Sequence, residues 1–168
     1  GVLHHMADPV AGWRVLSDCL KPSGLMKIAL YSKAGRQEIE KVRSIVAKMD
    51  ISHSEKNMLI FRQRAVQSGD PILKTIFAYK DAFSTSEFRD LLFHIQECSF
   101  TIPTINELLD ELGFGFAGFE FKNKYIKSKY RKLFPQPGDI VDLDKWHKFE
   151  ASNPSIFRGM YQFWAQKR

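Results

Sequence analysis

The chain has 168 residues, 44% of them hydrophobic and 13% aromatic, and a formal net charge of +6. That apolar content is enough for a packed core and excludes a disordered chain, while no window holds the roughly 18–20 consecutive apolar residues of a membrane span. Cys19 and Cys98 show no C-x-x-C spacing, so neither a disulfide framework nor a zinc site is expected, and a reduced, cytoplasmic setting is the expectation.

Asp8-Pro9 starts a helix: the carboxylate accepts from free first-turn N–H groups, and proline gives up a donor that had no partner. The helix should run to about residue 20, with Val10, Trp13, Leu16 and Leu20 inward and Arg14, Ser17 and Asp18 outward. Pro22 and Gly24 stop it and turn the chain into an apolar run at 25–32, read as a buried strand of a helix-covered sheet in an α/β fold. The stretch 33–99 carries almost no strand signal and is too long for a plain connection. Helices are expected near 34–48, 54–67, 70–82 and 86–97, with Ser54, Asp70-Pro71 and Ser84-Thr85-Ser86 as breaks. The second buries Met58, Phe61, Arg62 and Ala65, and the fourth Phe88, Leu91, Leu92 and Ile95. A helix at 103–112 ends at Gly113, and alternating phenylalanines make 114–121 a second strand. A short helix at 142–151 carries Trp146 and Phe149, and 160–167 is the third strand.

Charge is concentrated between the second strand and residue 134, where Lys122, Lys124, Lys127, Lys129, Arg131 and Lys132 occur with no acid. Interleaved aromatic residues give this segment the look of a nucleic-acid footprint. A plainer reading puts Ile126, Tyr130 and Leu133 in a buried stripe and leaves the lysines as a solvated face, so nucleic acid is not the expected partner.

Leu3-His4-His5-Met6-x-Asp8-Pro9, a helix, then Leu20-Lys21-Pro22-x-Gly24-Leu25 and an apolar strand resembles the second half of a class I S-adenosyl-L-methionine (SAM) dependent methyltransferase. In that family an LHH or LEH turn follows the fourth strand and LKPGG precedes the fifth. Here Ser23 replaces the first glycine of the pair. Segments 89–97, 100–103 and 159–164 resemble the C-terminal half of bacterial members, some fused to tetratricopeptide repeats. The family's glycine-rich cofactor loop is absent, since no strand is followed by a G-x-G loop and a helix. The resemblance therefore implies a single truncated methyltransferase domain over 1–168, a fragment lacking the SAM-binding half.

It also implies an incomplete Rossmann-like sheet of three strands in the order first-third-second, the last antiparallel, with insertions 33–99 and 122–159 forming a large helical cap over the substrate pocket. His4 would lie beside the methyl donor. Adjacent histidines point to opposite sides of an extended segment, so His4 and His5 are not expected to share a metal. Tyr31 and Ser32 end the first strand at the site edge, either holding a substrate or cofactor hydroxyl contact or simply packed there. Arg89, His94 and Gln96 lie on the helix most similar to the family but do not share one face. His94 is either a general base or a satisfied, half-buried histidine.

SAM would be the cofactor of the intact enzyme, acting on an unknown methyl acceptor, and this chain alone is expected to bind none. Without its neighbouring strand, the edge at 25–32 is expected to produce a homodimer, by edge pairing or by exchange of the N-terminal helix. The rival reading is a non-enzymatic interaction module that uses the basic helix 122–134. No nucleophile elbow, HExxH or P-loop spacing offers another chemistry.

Overall fold

The computed structural model describes residues 2–49, 54–94 and 97–168. It divides into two compact units, the first made of residues 1–35 and 96–168, the second of residues 36–95. Among the described residues, no helix is long and apolar enough to cross a membrane.

The first unit is an α/β layer. Helix α1 (Pro9–Asp18) is capped by Asp8, whose side chain accepts from Ala11 N at 2.9 Å. The turn at Pro22-Ser23-Gly24 leads into β1 (Leu25–Ser32). Further on come β2 (Ser99–Phe100), α6 (Ile102–Glu111), β3 (Phe114–Phe119), α7 (Lys124–Leu133), α8 (Leu143–Ala151) and β4 (Tyr161–Lys167). The sheet order is β2-β1-β4-β3. Strand β4 is antiparallel to β1, from Leu25 opposite Gln166 to Leu30 opposite Tyr161, and antiparallel to β3 on its other side. The three long strands thus take the expected order, with the last one central and antiparallel.

The expectation of three strands fails by one, because β2 pairs in parallel with the end of β1, Tyr31 with Ser99 and Ser32 with Phe100. Two residues carry no periodicity, so this pairing is visible only once the chain has returned to the sheet. The core behind the sheet is aromatic: Trp13, Phe114, Phe119, Trp146, Phe149, Phe157, Tyr161 and Phe163 are buried, with Tyr130 stacked on Trp146 at 3.6 Å.

Helix α1 differs from its expected faces. Ser17 is buried and Leu16 is 46% exposed. The helix packs through Trp13 and Ser17, one turn apart, and the Ser17 and Leu20 carbonyls accept from Lys167 Nζ at 2.8 and 3.1 Å. That cation at the helix end satisfies orphan carbonyls and so draws the Ser17 side toward the sheet. In α7 the buried stripe is shorter than expected: Tyr130 is buried, but Leu133 is 59% exposed. The last turn instead packs Phe134 against Tyr130 at 5.0 Å.

The second unit is helical: α2 (Gln37–Lys48), α3 (Glu55–Gln67), α4 (Pro71–Lys74) and α5 (Thr85–Leu92) surround a core of Ile39, Val42, Met58, Phe61, Ile76, Phe88 and Leu91. Arg62 is only partly buried, beside fully buried Met58 and Ala65. The single helix expected near 70–82 is instead α4 followed by two 3-10 turns, Thr75–Ala78 and Lys80–Phe83. Their period of three places Ile76, Tyr79 and Ala82 inward together. Helix α5 ends at Leu92, short of the expected 97, so His94 lies beyond the helix. Ile95 and Gln96 fall outside the described residues.

Candidate functional site

The carboxyl end of β1 collects the side chains of interest in the first unit. Residues Leu3–His5 form a 3-10 turn rather than an extended segment. A 3-10 step rotates about 120° per residue, so the two histidines do not point to opposite sides. Their ring centroids are 4.3 Å apart, and Tyr31 lies 4.0 Å from His4 and 5.6 Å from His5. His4 Nδ1 donates to the Ala29 carbonyl at 3.3 Å, and the His4 carbonyl accepts from Cys98 N at 2.8 Å. His4 is thus held to β1 and to the segment entering β2 at once.

Ser32 follows Tyr31 and points to the opposite face of the strand, into a buried polar network. Its Oγ donates to Glu150 Oε1 at 3.1 Å and accepts from Gly35 N at 3.0 Å. Tyr161 OH donates to the same Glu150 oxygen at 2.6 Å. Burial pushes the Glu150 carboxyl above its ordinary range, while the Tyr161 and Ser32 hydrogen bonds pull the other way. Burial, and then the Glu150 carboxylate, hold the Tyr161 hydroxyl far above its ordinary value. The network ties together β1, α8 and β4, and fixes the exit of β1.

Sequence reasoning passed over Glu150, although a signal was present. It stands four residues after Trp146 and seven after Leu143, on the apolar face of α8. An acid at helical register with buried aromatics must find partners.

Of the other expected site residues, Arg89 and His94 belong to the second unit. Arg89 is exposed on α5, and its carbonyl accepts from Phe93 N at 2.7 Å. The His94 carbonyl accepts from Arg43. Gln96 lies outside the described residues. Among the described residues, no group of three or more His, Cys, Asp or Glu is placed to hold a metal ion.

The residues present do not by themselves fit a bound SAM. His4 is fully buried and Tyr31 is 7% exposed, so the pair presents little open surface, and the junctions from strand to helix lack a glycine cradle. The turn after β1 has one glycine, Gly35, and a Cβ there would press into the Phe157 carbonyl, with the carbonyl carbon at 2.8 Å, so this glycine serves packing. The junction from β3 to α7 has none.

A groove of about 500 Å³ runs along the other edge of β1, lined by Val2, Leu3, Met6, Val15, Leu16 and residues 26–29.

Comparison with solved structures places this architecture. PKMT2 from Rickettsia typhi in complex with AdoHcy superposes with a TM-score of 0.59 at 16% identity, over 100% of this chain and 35% of that one. The structure of PKMT2 from the same organism gives 0.58 at 15%. The fold is methyltransferase-like. In sequence the chain is 25% identical over 179 aligned residues to the uncharacterized protein syc1184_c of Synechococcus sp., covering 93% of this chain and 40% of that protein. No family model matches the sequence. The methyltransferase-like chain therefore spans well under half the length of the proteins it resembles.

Proposed function

We propose that this chain is the C-terminal portion of a SAM-dependent methyltransferase, contributing the end of the sheet and, at the exit of β1, part of one wall of the cofactor site. The observation that carries the reading is the central, antiparallel β4 between β1 and β3. It is supported by the superposition of the whole chain on a protein solved with AdoHcy, the compound SAM becomes on losing its methyl group. Ser32, Glu150 and Tyr161 are positioning residues in this reading, setting the strand end that carries Tyr31.

The remaining cofactor contacts belong to the rest of the longer protein. Methyl transfer needs chiefly a donor held in line with its acceptor, and one wall does not hold it. The chain alone is therefore inactive: losing several polar contacts at ~1–3 kcal/mol each lowers affinity by orders of magnitude. Titration calorimetry of the purified chain with SAM should show no micromolar binding. Micromolar binding that disappears on His4→Ala would overturn the reading, because the cofactor site would then lie wholly within these residues.

A further inference from the structure

Between Phe121 and one face of α7 lies an open cavity of about 640 Å³, lined by Lys124, Lys127, Ser128, Arg131 and Lys132. Steps of three, four and one residue place these four cations on one side of the helix, over about 12 Å at a rise of 1.5 Å per residue. Among the described residues none of the four has an ion-pair partner. The acid closest in sequence, Glu120, is taken by Lys27 Nζ at 2.8 Å and Trp164 Nε1 at 3.0 Å. Those contacts, Lys27 first, with a smaller electrostatic contribution from Lys127, hold its carboxyl below the usual range.

An ordinary solvated helix face interleaves charges of both signs, as α2 does with Glu38, Glu40, Lys41 and Lys48. Helix α7 has no acid in its first turn and places Lys124 there, against the macrodipole. Like charges three and four residues apart repel. Arg131 and Lys132 in the last turn suit the macrodipole, but Lys124 opposes it, and the mutual repulsion of the four cations is relieved when anions cover the face.

We propose that this face docks an acidic, extended polypeptide segment of a partner protein. Carboxylates on alternate residues of an extended chain stand about 6.6 Å apart, close to the axial step of about 6 Å from Lys127 to Arg131. Nucleic acid fits less well. Single strands bind by stacking bases on aromatic faces, and the aromatic ring lining the cavity, Phe121, is packed against Phe157 at 5.3 Å and Trp146 at 5.5 Å, while Tyr125, 67% exposed on α7, stands outside the lining. Lysines outnumber arginine, which suits point contacts to carboxylates rather than forked recognition of phosphate.

The test is fluorescence anisotropy of the full chain with a labelled peptide of alternating Glu and Ser, its Gln/Ser counterpart, and oligothymidylate of equal length. The Glu/Ser peptide should bind and the Gln/Ser peptide should not. The double variant Lys127→Glu/Arg131→Glu should weaken binding at least about tenfold, the neutral pair Lys127→Gln/Arg131→Gln less, and both should melt like the parent. Lys41→Glu/Lys48→Glu makes the same change in net charge on the second unit and should leave affinity within about twofold. An equal loss in that control would show general charge attraction and overturn the proposal. Tighter binding of oligothymidylate, or no binding of the Glu/Ser peptide, would overturn it as well.

Discussion

At Ser23 the backbone adopts φ 61°, the left-handed region, at the position where the resembled pattern carries glycine. The turn is needed because Ser23 N must donate to the Lys167 carbonyl at 3.1 Å while the chain enters β1. A non-glycine residue there costs about 1–2 kcal/mol, against about 0.5–1 kcal/mol of extra chain entropy for glycine. Ser23→Gly should therefore stabilise the protein by about 0.5–1 kcal/mol, seen as a higher denaturant midpoint. Gly35→Ala acts in the opposite sense, since its Cβ meets the Phe157 backbone, and should cost about 1–3 kcal/mol by overpacking. Glu150 adds a pH signature. Its carboxyl is raised from an ordinary 4.5 by burial, so above that value the folded state holds the proton more tightly than the unfolded state does. Stability then falls as pH rises through the raised value, and the cost of burying the charge is full above it. Glu150→Gln keeps an oxygen to accept from Ser32 and Tyr161 and removes the charge. It should raise the melting temperature at neutral pH, with the advantage shrinking in acid; an advantage that did not change with pH would refute this account. Tyr161→Phe leaves the carboxylate without its shortest donor and should cost about 1.5–3 kcal/mol.

Strand β1 is paired unequally along its two edges. Its even-numbered residues bond to β4, as Gly24 O does to Lys167 N at 2.9 Å, so the N–H and C=O groups of Lys27 and Ala29 face the other way. There, β2 covers only Tyr31 and Ser32, and His4 takes the Ala29 carbonyl. The backbone groups of Lys27 have no partner among the described residues. The apolar groove beside them is bordered by exposed Val2, Val15 and Leu16. An open edge with an apolar margin seeks another strand. The chain alone should self-associate through this edge, giving a sedimentation coefficient that rises with concentration. Val15 is 63% exposed, so Val15→Asp should abolish the association without lowering the melting temperature. A monomer at high concentration would refute it. The mismatch between expected and observed α1 faces has the same origin: Leu16 borders the groove, while Ser17 faces the sheet.

Across the whole molecule, the α/β class, the three long strands and most helices were legible because each is written locally, as an apolar run, a 3.6-residue period or a capping residue. Asp8, Ser54, Asp70 and Thr101 all accept a backbone N–H at the helix starts they mark. The spatial order of the strands came from family resemblance, since no local pattern encodes which strand sits in the middle. The order of residues carried the set of elements, their approximate limits and the concentration of positive charge at α7. The two-residue strand β2, the meeting of His4 and His5 over Tyr31, the single-sided cover of β1, and the joining of Ser32 to Glu150, 118 residues away, and to Tyr161 through it, arose only in the folded chain. The physical reason is that periodicity and capping act within a turn or two of chain, whereas a buried hydrogen bond or an open strand edge depends on which distant segment arrives to pair with it.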